Sequence, residues 1–397
     1  MNINKLQIQF YLMKDIIVIT NIASHYRSTL WGKLINSEKY NFNFYFGKDL
    51  KFGIKEINFN EKKFQFRQNQ IHLLNNLYFK DKIIVWQRGI VKKCLTLKVN
   101  TAIILGDSWI ISNWIIAIIF RVKGVKVIFW SHGIYGNEPK IKKWIRILFY
   151  KLANEHLLYE RRGKQQMVLN GFKEDKLHII FNSLNYDANL RFRVAAEKSL
   201  KKEVYTFFHN PEQPTIIFIG RLTEVKKLNY LIEAVYELKK QNYLVNLLII
   251  GEGGQRKKLN ELVIEYNIKD YCHFYGPCYS EKELSNLISA ADLCVSPGNV
   301  GLTGIHSMSY GTPVLTHNNF INQMPEVGAI IEGKNGCFFI ENDVSSLVSK
   351  LIYWLFNNNL SRDEIRTNCY NIIDNYYNPN YQIRVLENVI ENKPPLI

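Results

Sequence analysis

The segment TIIFIGRLTEVKKLNYLIEAVYELKK, residues 215 to 240, decides the fold of this chain. A run of apolar and β-branched residues ends at Gly220 and leads, through a short charged loop, into an amphipathic stretch. This order predicts a buried strand, a turn and a helix. Repeated units of this kind are typical of parallel sheets with crossover helices, in which ligands bind at the carboxyl edge of the strands. The loop after Gly220 is therefore a candidate binding site.

The same alternation extends in both directions along the chain. Predicted strands cover residues 15–20, 42–46, 102–105, 126–130 and 177–181, and then 215–220, 245–251, 272–276, 293–298 and 312–317. A polar, Lys-rich stretch, residues 185–214, separates the two series. We expect an α/β chain with an N-terminal Rossmann-like domain (1–205), a second one (206–360) and a C-terminal helical segment (361–397) that packs back on the first.

The charge of the chain is distributed unevenly. The net charge is +16, but the first 205 residues carry 35 Lys+Arg against 15 Asp+Glu, whereas the remainder carries 16 against 20. We therefore expect the N-terminal domain to face an anionic partner, such as a membrane surface or a phosphorylated acceptor. Nucleic acid is not expected, because no recognised nucleic-acid-binding motif accompanies the charge.

Two apolar segments bear on localisation. Residues 102–120 approach the length of a membrane span, but Asp107 lies inside them, so a strand, a Gly-Asp turn and a helix explain them better. Residues 1–15 have only a short apolar run and no cleavage pattern of a secretory signal. The six cysteines are scattered without metal-ligand spacing, which favours reduced thiols. We expect a cytoplasmic protein. The anionic inner face of the cell membrane is the surface to which it could bind.

The loop after Gly220 has the chemistry of a phosphate site. Arg221 offers a planar fork for phosphate oxygens, and Lys226 adds a compact positive charge five residues later. Both follow a strand that ends at the carboxyl edge of the sheet. The alternative is a solvated basic loop before a helix.

Two further glycine-rich turns follow predicted strands. The first, residues 251–254, does not fit the dinucleotide fingerprint, so a nicotinamide cofactor is not indicated. The second contains Gly298, Gly301 and Gly304 and precedes a helix for which Thr303 is a candidate N-cap. A helix start directs free N–H groups at an anion, so a diphosphate fits here, although a purely structural turn is the alternative.

Together these motifs resemble glycosyltransferase family 4. The resemblance covers residues 215–355 and rests on GRLTEVKK, IIGEGG, FYG, AADLCVSPG and SMSYGTPV in this order. It implies a GT-B fold, in which two Rossmann-like domains face each other across a cleft, and transfer of a sugar from a UDP- or GDP-linked donor with retention of configuration. It also implies that Arg221 and Lys226 hold the donor phosphates. No D-x-D motif occurs, so we expect a metal-independent enzyme with no cofactor besides the nucleotide-sugar substrate.

The sequence departs from the family at its two motif glutamates. The second glutamate position is occupied by His306 and the first by Gly298, in a loop about three residues short by comparison. The family uses the second glutamate to hold the ribose hydroxyls, a role that a ring nitrogen of His306 can take. Backbone amides near Asn299 can replace the first. The alternatives are a structural role for His306, and a chain that binds the nucleotide-sugar without turning it over.

The resemblance also reaches the N-terminal half. It implies that His132, after the strand 126–130, contacts the donor sugar, and Asp107 is a candidate acceptor contact or base. The predicted site thus has His132, Arg221 and Lys226 in catalysis. The predicted donor contacts are Gly220, Gly251, Gly253, Asn299, Gly301, Leu302, Thr303 and His306.

A basic amphipathic stretch suggests where an acceptor approaches. In KIKKWIRILFYK, residues 140–151, basic residues alternate with apolar ones, and Arg121, Lys123 and Lys126 lie nearby in the sequence. This pattern favours docking on an anionic membrane and a glycan or polyprenyl-linked acceptor. An ordinary helix with its apolar face on the sheet is the alternative. We expect a glycosyltransferase of bacterial surface polysaccharide or lipopolysaccharide synthesis, with an inactive partner subunit or a GT-B sugar-nucleotide epimerase as the alternative functions.

Overall fold

The computed structural model describes residues 13–48, 55–65, 67–80 and 83–397, which form two compact units. The first unit runs to Phe181 and also contains Pro379–Ile397, and the second unit is Asn182–Asn378. Most of the N-terminal segment assessed for a secretory signal, residues 1–12, lies outside the described residues.

The first unit is built on a mainly parallel sheet. Its described strands are β1 Lys14–Thr20, β2 Tyr40–Lys48, β3 Ile71–Phe79, β4 Ile84–Gln87, β5 Thr101–Leu105, β6 Lys126–Ser131, β7 Glu155–Leu158 and β8 Leu177–Ile179. They lie in the order β4-β3-β2-β1-β5-β6-β7-β8, and only the β3–β4 pair is antiparallel. The helices that follow in the chain are α1 Ser28–Ile35, α2 Lys62–Gln65, α3 Ile90–Thr96, α4 Ile111–Val122, α5 Lys140–Tyr150 and α6 Arg161–Leu169.

The second unit has a fully parallel sheet in the order β11-β10-β9-β12-β13-β14. Its strands are β9 Thr215–Ile219, β10 Asn246–Ile250, β11 Cys272–Gly276, β12 Leu293–Ser296, β13 Val314–His317 and β14 Gly336–Phe339. Its helices are α7 Tyr186–Glu197, α8 Lys201–Val204, α9 Leu228–Lys240, α10 Arg256–Glu265, α11 Glu281–Ser289, α12 Leu302–Ser309, α13 Val344–Phe356 and α14 Arg362–Asn375. The last helix, α15 Pro379–Ile390, belongs to the first unit.

Burial explains why the central strands read as continuous apolar runs. Ile16 to Ile19 in β1 and Leu247 to Ile250 in β10 are each no more than 1% exposed, because helices cover both faces of a parallel sheet. In the first unit, Phe129 of β6 stacks on Phe149 of α5 with ring centroids 4.3 Å apart. In each sheet the strand order reverses beside the central strand, which places a topological switch point at its carboxyl end.

The units divide earlier than the expected boundary near residue 205. The reason is α7, whose Arg193 donates hydrogen bonds to the Ser309 carbonyl and to Asp374, both in the second unit. The C-terminal segment is also divided. Arg362 of α14 donates to the Ser289 carbonyl in the second unit, whereas α15 packs in the first.

Four strands were not predicted. The strands β3, β4 and β7 in the first unit and β14 in the second are short or mix polar with apolar residues. All four lie at or next to a sheet edge, and β3 and β4 are incompletely buried there, which weakens their apolar signal.

Residues 102–120 form a strand, a turn and a helix, as the sequence predicts. They contain β5, the turn with Asp107 and most of α4, which is 12 residues long. Within the described part of the chain, no helix has both the length and the hydropathy needed to cross a membrane.

Candidate functional site

The carboxyl edge of the second sheet is held together by glycines that let two loops touch. A Cβ atom at Gly251 would lie 1.9 Å from the Gly220 carbonyl oxygen, and one at Gly253 would lie 2.4 Å from the Leu222 oxygen. Gly251 also has φ +140°, which disfavours other residues. The Leu222 amide donates to the Glu252 carbonyl at 2.9 Å. These predicted nucleotide contacts therefore have a clear packing role, since they fix the loop that carries Arg221.

Lys226 lies at the end of this loop, in a short 3₁₀ turn, Glu224–Lys226. Its Nζ donates to both the backbone oxygen and the side-chain Oδ1 of Asn299, each at 2.8 Å. Burial lowers the pKa of Lys226, Glu326 counteracts this by raising it, and Arg221 lowers it further. The structure thus brings Lys226 and Asn299 into direct contact and places the positive charge of Arg221 within electrostatic range.

Gly298 also packs against the Lys226 loop. Its amide donates to the Lys226 carbonyl at 3.0 Å, and a Cβ atom there would lie 2.0 Å from the Val225 oxygen. There is consequently no room for a glutamate at residue 298 with this backbone.

The helix after the glycine-rich loop begins at Leu302, with Gly301 as its N-cap residue. Thr303 is therefore the second residue of the helix, and the prediction that it caps the helix is wrong. Its Oγ1 instead donates to the carbonyl of Ile219 at 2.8 Å, which joins α12 to the end of β9. The start of α12 thus lies beside the loop of Arg221.

A segment after β13 supports the glycine-rich loop and was missed by sequence reasoning. The Val300 amide donates to Oε1 of Gln323 at 2.8 Å, and Gln323 Nε2 donates to Oγ1 of Thr316. Glu326 follows three residues later, is 3% exposed, and accepts a hydrogen bond from Asn182 at 2.7 Å. In the sequence, the only signal for this carboxylate is that Glu326 follows a proline after a predicted strand. No motif assigned Glu326 a role.

His306 is paired with a carboxylate from another helix. Its Nε2 lies 2.8 Å from Oε1 of Glu281, the first residue of α11, and Tyr310 donates to the same oxygen at 2.6 Å. Burial alone would raise the pKa of Glu281, but the hydrogen bonds from His306 and Tyr310 outweigh it and lower the pKa. Sequence reasoning found His306 but not Glu281, because 25 residues separate them and only the fold joins them.

In the first unit, His132 lies at the carboxyl edge of its own sheet, directly after β6. Burial, Arg27 and then Arg146 lower its pKa to about 4, so its ring is neutral at pH 7. The ring lies 4.7 Å from that of Tyr159, whose hydroxyl accepts a hydrogen bond from Arg27 at 2.5 Å. His132 can therefore both donate and accept hydrogen bonds with an uncharged ligand.

Asp107 lies at the same edge, after β5. Burial raises its pKa, opposed by a hydrogen bond from the Trp109 amide and by the charge of Arg146. Arg146, which the sequence assigned to a docking surface, pairs instead with Glu138 at 3.1 Å and donates to the Gly133 carbonyl. The first unit thus groups Asp107, His132 and Arg146 around one strand edge.

The exposed face of α5 carries apolar and basic residues together. Ile141 is 75% and Trp144 62% exposed, so the apolar residues of this helix do not all pack on the sheet. Lys140 and Lys142 on the same helix are exposed as well. Lys126, by contrast, pairs with Glu155 at 2.8 Å, so it belongs to the interior network and not to this surface.

Comparison with known proteins finds a match between part of the chain and one protein family. Residues 201–371 match the family model described as glycosyl transferases group 1. The putative colanic acid biosynthesis glycosyltransferase WcaL of Salmonella typhimurium is 29% identical over 145 residues, 34% of each chain. The chain spans between a third and a half of the length of this and other curated relatives that it matches.

Solved structures share the fold over nearly the whole chain. A lipopolysaccharide outer core galactosyltransferase, WaaB, has a TM-score of 0.67 at 15% identity and covers 95% of this chain and 99% of its own. Anabaena HepE in complex with UDP-glucose has a TM-score of 0.64 at 12% identity, with 95% and 100% covered. The chain therefore has the GT-B fold, and its residues 201–371 are similar to glycosyl transferases group 1.

Proposed function

We propose that the chain is a glycosyltransferase that moves a sugar from a UDP- or GDP-linked donor to a glycan or polyprenyl-linked acceptor, with retention of configuration. One observation carries the proposal: the loop with Arg221 and Lys226 and the start of α12 meet at one carboxyl edge of the sheet. Lys226 contacts Asn299, and Thr303 of α12 contacts the end of β9 just before Arg221. The family match over the same residues and the relation to WcaL favour bacterial surface polysaccharide or lipopolysaccharide synthesis.

The chemistry follows from where charge develops. When the bond between sugar and diphosphate breaks, negative charge builds on the leaving diphosphate, and positive groups already in place stabilise it without reorganisation. Lys226 is held at Asn299 by two hydrogen bonds, and Arg221 provides the second charge. In a retaining reaction the leaving phosphate can take the acceptor proton on the same face of the sugar, so no separate base is required.

His132 has a supporting role in this proposal. Because its pKa is about 4, the ring is neutral at pH 7. A neutral ring hydrogen-bonds to a sugar hydroxyl and orients it. Asp107, whose pKa burial raises, is the candidate contact for an acceptor hydroxyl.

The test is turnover with two matched substitutions. Arg221→Ala and Lys226→Ala should each lower transfer at least about a hundredfold, as expected when a group that stabilises transition-state charge is lost. Lys227→Ala is the matched control, since Lys227 is adjacent in sequence but pairs with Glu341 at 2.9 Å. Transfer by either variant at the rate of the Lys227 control would refute the proposed function.

Two alternative functions have distinct outcomes in the same assay. A nucleotide-sugar-binding partner subunit would bind the donor and give no product with any acceptor. A sugar-nucleotide epimerase would convert the donor without an acceptor, which product analysis detects.

We further propose that the exposed face of α5 docks on an anionic membrane, where a lipid-linked acceptor would be met. Ile141 and Trp144 provide the apolar contact, and Lys140, Lys142 and Lys143 provide charge attraction. Near an anionic bilayer each such lysine contributes about 1 kcal/mol. Charge complementarity favours this occupant over a second copy of the chain, whose net charge is also positive.

Vesicle sedimentation tests the docking proposal. Binding to phosphatidylglycerol-containing vesicles should fall about thirtyfold for Lys142→Ser/Lys143→Ser, from about 2 kcal/mol of lost attraction. The matched control is Lys257→Ser/Lys258→Ser, an exposed Lys-Lys pair that lies in α10. Equal binding by the two double variants, or equal binding to vesicles of phosphatidylcholine alone, would contradict membrane docking through α5.

A further inference from the structure

Gln323 lies in the segment after β13 and uses both ends of its side-chain amide. Its Oε1 accepts a hydrogen bond from the Val300 amide at 2.8 Å, and its Nε2 donates to the His317 carbonyl at 3.0 Å and to Oγ1 of Thr316 at 2.9 Å. A backbone N–H only donates and a carbonyl only accepts, so the orientation of the Gln323 amide is fixed. Gln323 therefore joins the end of β13 to the glycine-rich loop.

Thr316 extends this connection to the other side of the same loop. Its side chain is fully buried, and its hydroxyl oxygen lies 2.8 Å from the Ser296 carbonyl and 3.2 Å from the Gly298 carbonyl. Because the hydroxyl accepts from Gln323, its own proton is directed to one of these carbonyl oxygens. Thr316 thus holds the residues before Asn299, whereas Gln323 holds the residue after it.

Asn299 in turn determines the direction of the Lys226 ammonium. The backbone oxygen and Oδ1 of Asn299 both accept from Lys226 Nζ at 2.8 Å. An ammonium has three N–H donors, and within the described part of the chain no other group accepts from the third. The three N–H bonds are arranged tetrahedrally, so two fixed bonds determine where the third one points. The position of Asn299 therefore decides where Lys226 donates to an anion.

We propose that Gln323 is a positioning residue that fixes Asn299 and thereby directs the third N–H of Lys226 at the donor diphosphate. The inference rests on the proposed function and adds to its phosphate site a residue that no sequence motif contains. Both polar atoms of the Gln323 amide are bonded within the protein, so Gln323 acts through Asn299 and Lys226 and not by touching the ligand. A loop that contains Gly298 and Gly301 needs such support, because glycine leaves the backbone conformationally free.

Calorimetry with uridine diphosphate and guanosine diphosphate tests this role. For whichever diphosphate the wild-type chain binds more tightly, Gln323→Ala should weaken binding about tenfold, close to the value of one hydrogen bond to a charged group. Thr316→Val keeps the shape of the buried side chain and removes the hydroxyl, so it should also weaken binding. Asn322→Ala is the matched control and should bind as the wild type does, because Asn322 is adjacent and exposed but donates to Glu341 instead.

A double-mutant cycle separates positioning from a merely structural role. If Gln323 acts through Lys226, Gln323→Ala should weaken diphosphate binding about tenfold in the wild-type protein but less than about twofold in the Lys226→Ala protein. A substitution that only loosens the loop or the whole unit would weaken binding by the same factor in both. Thr316→Val provides the same comparison if Gln323→Ala does not fold.

The outcomes distinguish the two levels of the proposal. If the wild-type chain binds neither diphosphate, the proposed function is refuted, and this inference with it. If a diphosphate binds but Gln323→Ala and Asn322→Ala bind it equally well, the inference alone is refuted. The same holds if the loss of affinity is equal with and without Lys226.

Discussion

Replacing Gly298 by alanine should lower both the stability of the second unit and its affinity for a diphosphate. The added Cβ would lie 2.0 Å from the Val225 oxygen and 2.8 Å from the Lys226 Cα. An ordinary carbon–oxygen contact is about 3.3 Å or longer, so the Lys226 loop has to retreat by about 1.3 Å. The retreat strains the hydrogen bond from the Gly298 amide to the Lys226 carbonyl.

The size of the effect follows from these two terms. Overpacking costs about 1–3 kcal/mol, and the backbone hydrogen bond contributes about 1 kcal/mol. The unit should therefore lose about 2–4 kcal/mol, which lowers its melting temperature by about 4–16 °C for its size. A displacement near 1 Å in Lys226 should also reduce affinity for uridine or guanosine diphosphate by up to about a hundredfold.

Thermal denaturation and calorimetry with the diphosphate measure both effects. The matched control is Gly254→Ala, since a Cβ at Gly254 would have no heavy atom within 4 Å. Both substitutions restrict the unfolded chain equally, so the difference between them reports the folded state. If Gly298→Ala melts and binds as Gly254→Ala does, the packing explanation for the missing glutamate is wrong. Gly298→Glu, which restores the family residue, should be at least as damaging.

Two further predictions concern buried charges. His156 is 2% exposed, and burial lowers its pKa to about 3. Below pH 6.5 only the unfolded chain therefore binds a proton at this residue, and the folded state loses stability as the pH decreases. His156→Phe should therefore reduce the stability lost between pH 7 and pH 5, measured by urea unfolding, by about 2 kcal/mol; an unchanged loss would contradict the assignment. Glu326→Gln should lower the pKa of Lys226 further, so that diphosphate affinity declines at a lower pH than in the wild type, and identical pH profiles would show that Glu326 does not support that charge.

Much of the architecture was predictable, because strands that are buried on both faces consist of continuous runs of apolar residues. The strands that end at Thr20, Ile219 and Ile250 are covered on both faces, and their apolar runs predicted them within a residue or two. Gly220 and Arg221 followed from this, since a loop after a central strand lies at the carboxyl edge of a parallel sheet.

What could not be predicted depends on contacts between distant residues. Glu281 gains meaning only through its 2.8 Å contact with His306, and Arg146 only through its pairing with Glu138. The closeness of Gly298 to the Val225 oxygen is likewise a property of the folded backbone. The sequence shows which side chains are present, but the roles of Glu281, Arg146 and Gly298 depend on which residues they contact in the folded chain.

The placement of α15 has a consequence for the order in which the chain folds during synthesis. Val385, Leu386 and Val389 of this helix are no more than 1% exposed, and Gln382 donates to the Phe181 carbonyl within the first unit. The second unit, Asn182–Asn378, is one uninterrupted stretch. The ribosome therefore delivers all of the second unit before the first has received its last helix, so the unit that begins first is completed last.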